Sequence, residues 1–314
     1  MNIMNVLNQM LVLFVMMAIG YFCYQKKWVN DTTSSQLSKL IVNVTNPILI
    51  VNGVLSQQKE DAGNGIWWNI GFVFIYYVLL FSVSFVIPWI IGVKKQRFTT
   101  YQMMTIFGNV AFMGIPVIRG IYGNGAMIYI AFYILVYNIL LYTIGVILCK
   151  KASQGQEGHK EKGAWKSIMN PGVVASILAV VIFAFGIKVP DAVQTFCDYM
   201  GGVTIPLSMI IIGISLAQAN LKEVFKEWKL YLFVLLRMIV LPIGLSLIGK
   251  GFVSALEIPE IVFGIFVIQL GMPVGSVIVM LAKEYNADSE FCTKGVVIST
   301  LASILTIPVI CMFL

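Results

Sequence analysis

Gly108-Asn109-Val110-Ala111-Phe112-Met113-Gly114-Ile115-Pro116 interrupts one apolar run of this chain, and Ile268-Gln269-Leu270-Gly271-Met272-Pro273-Val274-Gly275-Ser276 interrupts another. Each stretch combines glycine, proline and a side-chain amide where an apolar helix would otherwise continue. Proline removes a backbone donor and clashes with the carbonyl four residues back, so it kinks or opens a helix. In lipid, the freed backbone groups are tolerated only inside protein or against a cavity. Each opening exposes N–H groups at the start of a half-helix, where an anion is favoured. Matched interruptions in two halves of a chain point to a substrate site near the middle of the membrane. On this reading Asn109, Gly114 and Pro116 face Gln269, Gly271, Pro273 and Ser276 across one site, with the two amides and the Ser276 hydroxyl as hydrogen-bonding groups.

The composition of the chain demands a membrane. Of its 314 residues 59% are apolar and 11% charged, with mean hydropathy +0.90. A soluble domain is roughly 45–50% apolar and about 25% charged, and so few charges cannot cover a water-exposed surface of this size. The net charge of +7 comes from short basic clusters between apolar runs, so it speaks for membrane topology and not for nucleic acid. Cys23, Cys149, Cys197, Cys292 and Cys311 are far apart and form neither a disulfide framework nor a zinc-binding pattern. The single histidine, His159, lies in a polar loop.

A helix needs about 20 mostly apolar residues to cross a bilayer. Windows of that size give ten spans: 3–24, 37–55, 66–93, 101–122, 126–149, 168–187, 193–218, 230–248, 258–282 and 291–314. They are continuously apolar, which favours helices over a barrel. The first has no basic residue before it and no cleavage-site pattern, and reads as a retained helix. Sixteen of the 21 Lys and Arg fall in the loops after spans 1, 3, 5, 7 and 9; Lys59, Arg119, Lys188 and Lys250 fall on the other side. The positive-inside rule then places both termini outside a plasma or inner membrane.

The chain also repeats itself. Thr45-Asn46-Pro47 in span 2 returns as Thr204-Ile205-Pro206 in span 7, and Gly114-Ile115-Pro116-Val117 returns as Gly271-Met272-Pro273-Val274. Residues 1–149 and 167–314 therefore form two five-helix halves joined by the hydrophilic linker 150–166, with three glycines and five lysines. Five is odd, so the second half enters the membrane inverted, as in many secondary transporters. The expected fold is an all-α polytopic membrane protein of ten transmembrane helices with a 5+5 inverted repeat.

At these residues the chain resembles the auxin efflux carrier family, in its bacterial, malate permease-like branch. Asn109 through Gly123, reading NVAFMGIPVIRGIYG, is similar to the fourth-helix pattern. Gly271-Met272-Pro273 with Ala282-Lys283-Glu284-Tyr285 is similar to the ninth-helix pattern and the segment after it. Asn170-Pro171, the Thr204-x-Pro206-Leu207 stretch with Gly213 and Leu216-Ala217, Arg237, and Thr306-x-Pro308 also match, so the resemblance runs nearly end to end. It implies an elevator-type secondary transporter in which helices 4 and 9 cross at their prolines. Helices 1, 2, 6 and 7 would form a scaffold, with Asn46, Pro47 and Pro206 at its helix breaks, and helices 3–5 and 8–10 a moving transport domain. It further implies a small organic anion as substrate, auxin-like, malate or another carboxylate, with Asn109 at the family's substrate-contacting position, and a homodimer through the scaffold. The short linker departs from the long central loop of the plant members. Gln269 and Ser276 are assigned from position alone.

Among ionisable residues, Arg237 lies in the middle of span 8. It either draws anions toward the cavity or pairs with a carboxylate or backbone carbonyls to hold the bundle. Arg119 snorkels or lies near the break. Asp198 in span 7 is the carboxylate available for proton coupling, or it sits in an outer vestibule; coupling to sodium stays open, and no cofactor is implied. Asn43, Asn46 and Asn138 read as interhelical hydrogen-bonding amides. Trp67, Trp68, Trp89 and Trp165 read as interfacial anchors. No HExxH, GxSxG or phosphate-binding loop is present, which argues against an enzyme or a direct ATPase. The alternative on the same scaffold is a membrane ligand sensor or channel.

Overall fold

The computed structural model describes residues 3–55, 65–153 and 171–314. Lys59, His159, Trp165, Asn170 and most of the linker 150–166 lie outside the described residues. In chain order the helices are α1 (Ile3–Gln25), α2 (Asp31–Leu55), α3 (Gly65–Ile90), α4 (Lys95–Ile106), α5 (Gly114–Tyr122), α6 (Asn124–Ala152), α7 (Pro171–Phe185), α8 (Asp191–Gln218), α9 (Trp228–Ala255), α10 (Glu260–Leu270), α11 (Val277–Glu284) and α12 (Ser289–Met312), with one further turn at Leu221–Val224. Among the described residues there is no strand, only one isolated bridge.

Seven of these helices, α1, α2, α3, α6, α8, α9 and α12, are long and apolar enough to cross a membrane, and α7 and α10 are apolar but shorter. Their outward faces carry Leu11, Phe74, Trp89, Leu247 and Phe252, all exposed, as expected where lipid rather than water is the solvent. In α12, 67% of the apolar stretch is buried, against 28% in α1 and α2. The last helix is therefore central, while the first two lie at the periphery.

Helix ends follow local chemistry. α2 starts six residues earlier than its apolar window because Asn30 caps it, its side chain accepting from Thr33 N at 2.9 Å. Lys39 is consequently helical and not a loop residue. Two helices carry a wide turn just before a proline. Asn46 N donates to Ile41 O ahead of Pro47, and Leu241 N donates to Leu236 O ahead of Pro242. Each proline lacks the N–H that its fourth preceding carbonyl needs, and the helix absorbs the deficit as a five-residue turn. The turn at Leu236–Val240 contains Arg237.

The span expected at 101–122 differs most. Its helix begins at Lys95, stops at Ile106 and resumes at Gly114. The opening thus lies upstream of Pro116, which occupies the first turn of α5. A proline there lacks only an N–H that has no helical acceptor, so it starts the helix instead of breaking it.

α1 and the second half of α8 form the most extensively packed helix pair among the described residues. A methyl group on Gly20 would collide with the Ile210 carbonyl, and one on Gly213 with the Met17 carbonyl. Small residues permit this backbone approach, which supplies van der Waals contact where no hydrophobic force acts between helices in lipid. We expect Gly213→Ala to lower the apparent melting temperature in detergent by roughly 5 °C or more, since overpacking costs about 1–3 kcal/mol. Gly71→Ala, with nothing within 4 Å of the added carbon, is the control and leaves it unchanged. Equal shifts in the two variants would remove the role assigned to close approach.

Candidate functional site

The two interruptions meet. Residues 107–113 connect α4 to α5, and residues 271–276 connect α10 to α11. They run antiparallel through an isolated bridge between Gly108 and Val274. Asn109 N donates to Pro273 O at 2.7 Å, and Gly275 N donates to Phe107 O at 3.0 Å. Each non-helical stretch thereby satisfies groups that the other has freed, as a buried backbone requires. Gly275 is needed for the approach, because an added carbon would lie 3.1 Å from both the Gly108 and the Phe107 carbonyl oxygens.

Behind the bridge lies Arg237, 1% exposed. Its Nε donates to Thr105 O at 3.0 Å and its Nη1 donates to Leu270 O. These carbonyls belong to the last turn of α4 and of α10, so one guanidinium caps two helix C-termini. Each C-terminus carries about half a negative charge, and together they offset one cation. No carboxylate pairs with Arg237 among the described residues. Its Nη2 has no hydrogen-bond partner among the described residues and packs on Gly108, where an added carbon would come within 3.2 Å.

Gln269 is buried and also links the two stretches. Its Nε2 donates to Val110 O at 3.3 Å, and its amide covers Gly114, where an added carbon would lie 2.9 Å from Oε1. Val274 N donates to Ser299 Oγ of α12 at 3.0 Å.

On the open side of the bridge the Asn109 Oδ1 accepts from Phe112 N at 3.1 Å, and its backbone oxygen accepts from Gly114 N at 3.0 Å. Its Nδ2 donates to no protein acceptor among the described residues. The amides of Ala111, Ser276 and Val277 likewise have no backbone acceptor among the described residues. A cavity of about 40 Å³ lies here, lined by Asn46, Asn109, Tyr137, Asn138, Gly275 and Val277 among others. That is room for a water or two. Phe112 and Val42 line both this cavity and a larger cleft of about 580 Å³, lined in part by Ser34, Ser38, Ser208, Ser215, Ser276 and Lys283.

Of the residues singled out in the sequence, Asn46, Asn109 and Ser276 line these spaces. Gly114, Gln269 and Pro273 build the contact between the stretches. Pro116, Arg237 and Gly271 are buried behind it, Gly271 against Ile310. Pro47 follows Asn46 directly, and Pro206 lies near the start of the Thr204–Gln218 part of α8. Asp198 is exposed, its Oδ1 accepting from Asn52 Nδ2 at 3.0 Å, and lines neither space. Arg119 is exposed on α5. Thr105, Phe112, Tyr137 and Ser299 were not marked by the sequence. Thr105 acts at this site through its backbone carbonyl alone, which no side-chain pattern announces. Asn138 was legible as an amide inside an apolar run, but not its place on the cavity.

Residues 5–311 match the family described as membrane transport protein. An uncharacterized transporter of Methanothermobacter thermautotrophicus is 21% identical over 294 residues, 94% of this chain and 93% of the relative. The uncharacterized transporter YfdV of Escherichia coli K12 is 21% identical over 313 residues, covering 96% and 95%. The lysosomal cholesterol signaling protein of mouse is 22% identical over 334 residues, covering 96% of this chain but 37% of its own length.

Arg237→Met leaves the Thr105 and Leu270 carbonyls without donors. An unsatisfied buried acceptor costs about 1–3 kcal/mol, so the apparent melting temperature in detergent should fall by roughly 5–10 °C. Arg237→Lys retains a cation but lacks the planar fork that reaches both carbonyls, and should fall between. A methionine variant as stable as the native protein would refute the double cap.

Proposed function

The chain belongs to the membrane transport protein family, and on that premise we propose that it is a secondary carrier of small organic anions, working by alternating access. The observation that carries the reading is the crossing of the two open stretches beside Asn109. Two half-helices begin there, at Gly114 and Val277; among the described residues the amides of Ala111, Ser276 and Val277 have no backbone acceptor and the Asn109 side-chain amide is unengaged. Helix N-termini favour negative charge, and the opposing C-termini are neutralised by Arg237. An anion at this point meets N–H donors and no unneutralised helix C-terminus of like sign.

In the proposed carrier, α4 with α5 and α10 with α11 each make one broken crossing. With α7 and the seven long helices this gives ten, arranged as two inverted halves. Helices α1, α2, α7 and α8 are the scaffold; packing of α1 on α8 and of α7 on α2 supports that grouping. α3 to α6 and α9 to α12 are the moving part, which carries the substrate past the scaffold. With the basic loops in the cytoplasm, the larger cleft opens inward: it lies at the ends of α1, α8 and α11 that adjoin Lys26, Lys222 and Lys283. Phe112 then stands between cytoplasm and substrate site. Asp198 has no part in this reading.

A second reading, a membrane ligand sensor on the same scaffold, has one observation in its favour: a mouse relative is named for cholesterol signaling. Transport separates the two. Purified protein is tested by thermal stabilisation across malate, lactate, other short carboxylates and indole-3-acetate, with and without sodium, and then by exchange in proteoliposomes. A ligand that binds only the folded state raises apparent stability, by about 2.7 kcal/mol at a hundred times Kd. We expect one carboxylate to stabilise and to exchange, and Asn109→Ala to lose both while remaining folded. Stabilisation without exchange favours the sensor. Full exchange by Asn109→Ala refutes the placement of the site.

A further inference from the structure

A second cleft lies away from the helix crossing, where two apolar helices end. α3 ends at Ile90 and α9 begins at Trp228. Between these two ends is a cleft of about 370 Å³ lined by Lys94, Gln96, Arg97, Tyr101, Glu227 and Lys229, among others. Both helices are long and apolar enough to cross a membrane, so a cleft where one ends and the other begins sits at the headgroup level. Trp89 is 78% exposed and Trp228 is 63% exposed beside it, in the manner of interfacial aromatic anchors.

The charges around the cleft are unbalanced. Arg97 is committed to the protein: its Nη1 lies 3.3 Å from Glu227, its Nε 3.7 Å from Asp288, and its guanidinium stacks 4.2 Å from the centre of the Phe291 ring. Glu227 is thereby occupied. Lys94 and Lys229 have no carboxylate partner among the described residues. Lys229 Nζ donates to Gly92 O, which fixes it at the cleft with two protons left to donate. Lys94 is exposed, and its side chain makes no hydrogen bond or ion pair among the described residues. Two cations without counter-ions and an amide, at headgroup depth between exposed tryptophans, match a phosphate attached to lipid chains. Basic pockets between helices at a membrane surface bind such headgroups.

We propose that this cleft binds the phosphate of an anionic phospholipid in the adjacent leaflet, held by Lys94 and Lys229, with Gln96 as a further donor. The bound lipid ties the end of α3 to the start of α9. The site is independent of the substrate reading and stands or falls separately from it.

The test is thermal stabilisation and native mass spectrometry of the full chain in detergent, with phosphatidylglycerol, phosphatidylcholine or inorganic phosphate added. Each lysine near a charged surface contributes a factor of roughly five, so Lys94→Gln/Lys229→Gln should weaken phosphatidylglycerol binding roughly twentyfold. Lys26→Gln/Lys27→Gln, which removes two cations from another loop, should leave it unchanged. Lys94→Gln alone, at a side chain with no protein partner, gives the partial loss if the double variant does not purify as a single species. Undiminished phosphatidylglycerol binding in Lys94→Gln overturns the proposal, as does equal loss in Lys26→Gln/Lys27→Gln. Stabilisation by inorganic phosphate or phosphatidylcholine equal to that by phosphatidylglycerol also overturns it, since the occupant is then not an anionic lipid.

Discussion

A backbone amide or carbonyl left unpaired in hydrocarbon costs several kcal/mol, and helices avoid this by pairing every interior group within themselves. This chain stops two helices at Ile106 and Leu270 and restarts them at Gly114 and Val277. Each stop releases carbonyls and each restart releases amides. The structure meets the demand by laying the two openings across one another, so that Asn109 and Gly275 donate to Pro273 and Phe107. Neither opening is tolerable alone. The pairing requires both to lie at the same depth.

Arg237 completes that arrangement. A buried cation is costly, and so is a pair of helix C-termini pointing into a dry interior. Placed together, the guanidinium and the Thr105 and Leu270 carbonyls each remove the penalty of the other. The result is polar in one direction: the C-terminal ends of the broken helices are quenched, and the amides of Ala111, Ser276 and Val277 stay without backbone acceptors beside Asn109 among the described residues. The wide helical turn at Leu236–Val240, a consequence of Pro242, carries the arginine that does this.

The glycines and prolines at 108–116 and 271–276, and the amides Asn109 and Gln269, made the two openings legible, because their chemistry is local. The placement of the first opening relative to Pro116 was not, since proline has opposite effects in a helix interior and in a first turn. Arg237 stood out as a charge in an apolar run, yet its partners are main-chain oxygens of distant helices, and a carbonyl has no signature in sequence. The close approach at Gly20 and Gly213 was invisible for a related reason, although Gly213 belongs to the family pattern: glycine is common in membrane helices, and only the Met17 and Ile210 backbones explain these two. Asn138 and Tyr137 reach the cavity beside Asn109 through the packing of α6, which no periodicity in α6 itself dictates.

The central claim is that the free donors at the crossing hold a carboxylate. The most direct test is an experimental structure of the protein with the carboxylate that stabilises it most. The account predicts density for the acid between the Asn109 side chain and the amides of Ser276 and Val277, with the Arg237 bonds to Thr105 and Leu270 intact. Density elsewhere, against Lys283 at the mouth of the large cleft or bonded directly to Arg237 after it has left those carbonyls, would contradict it.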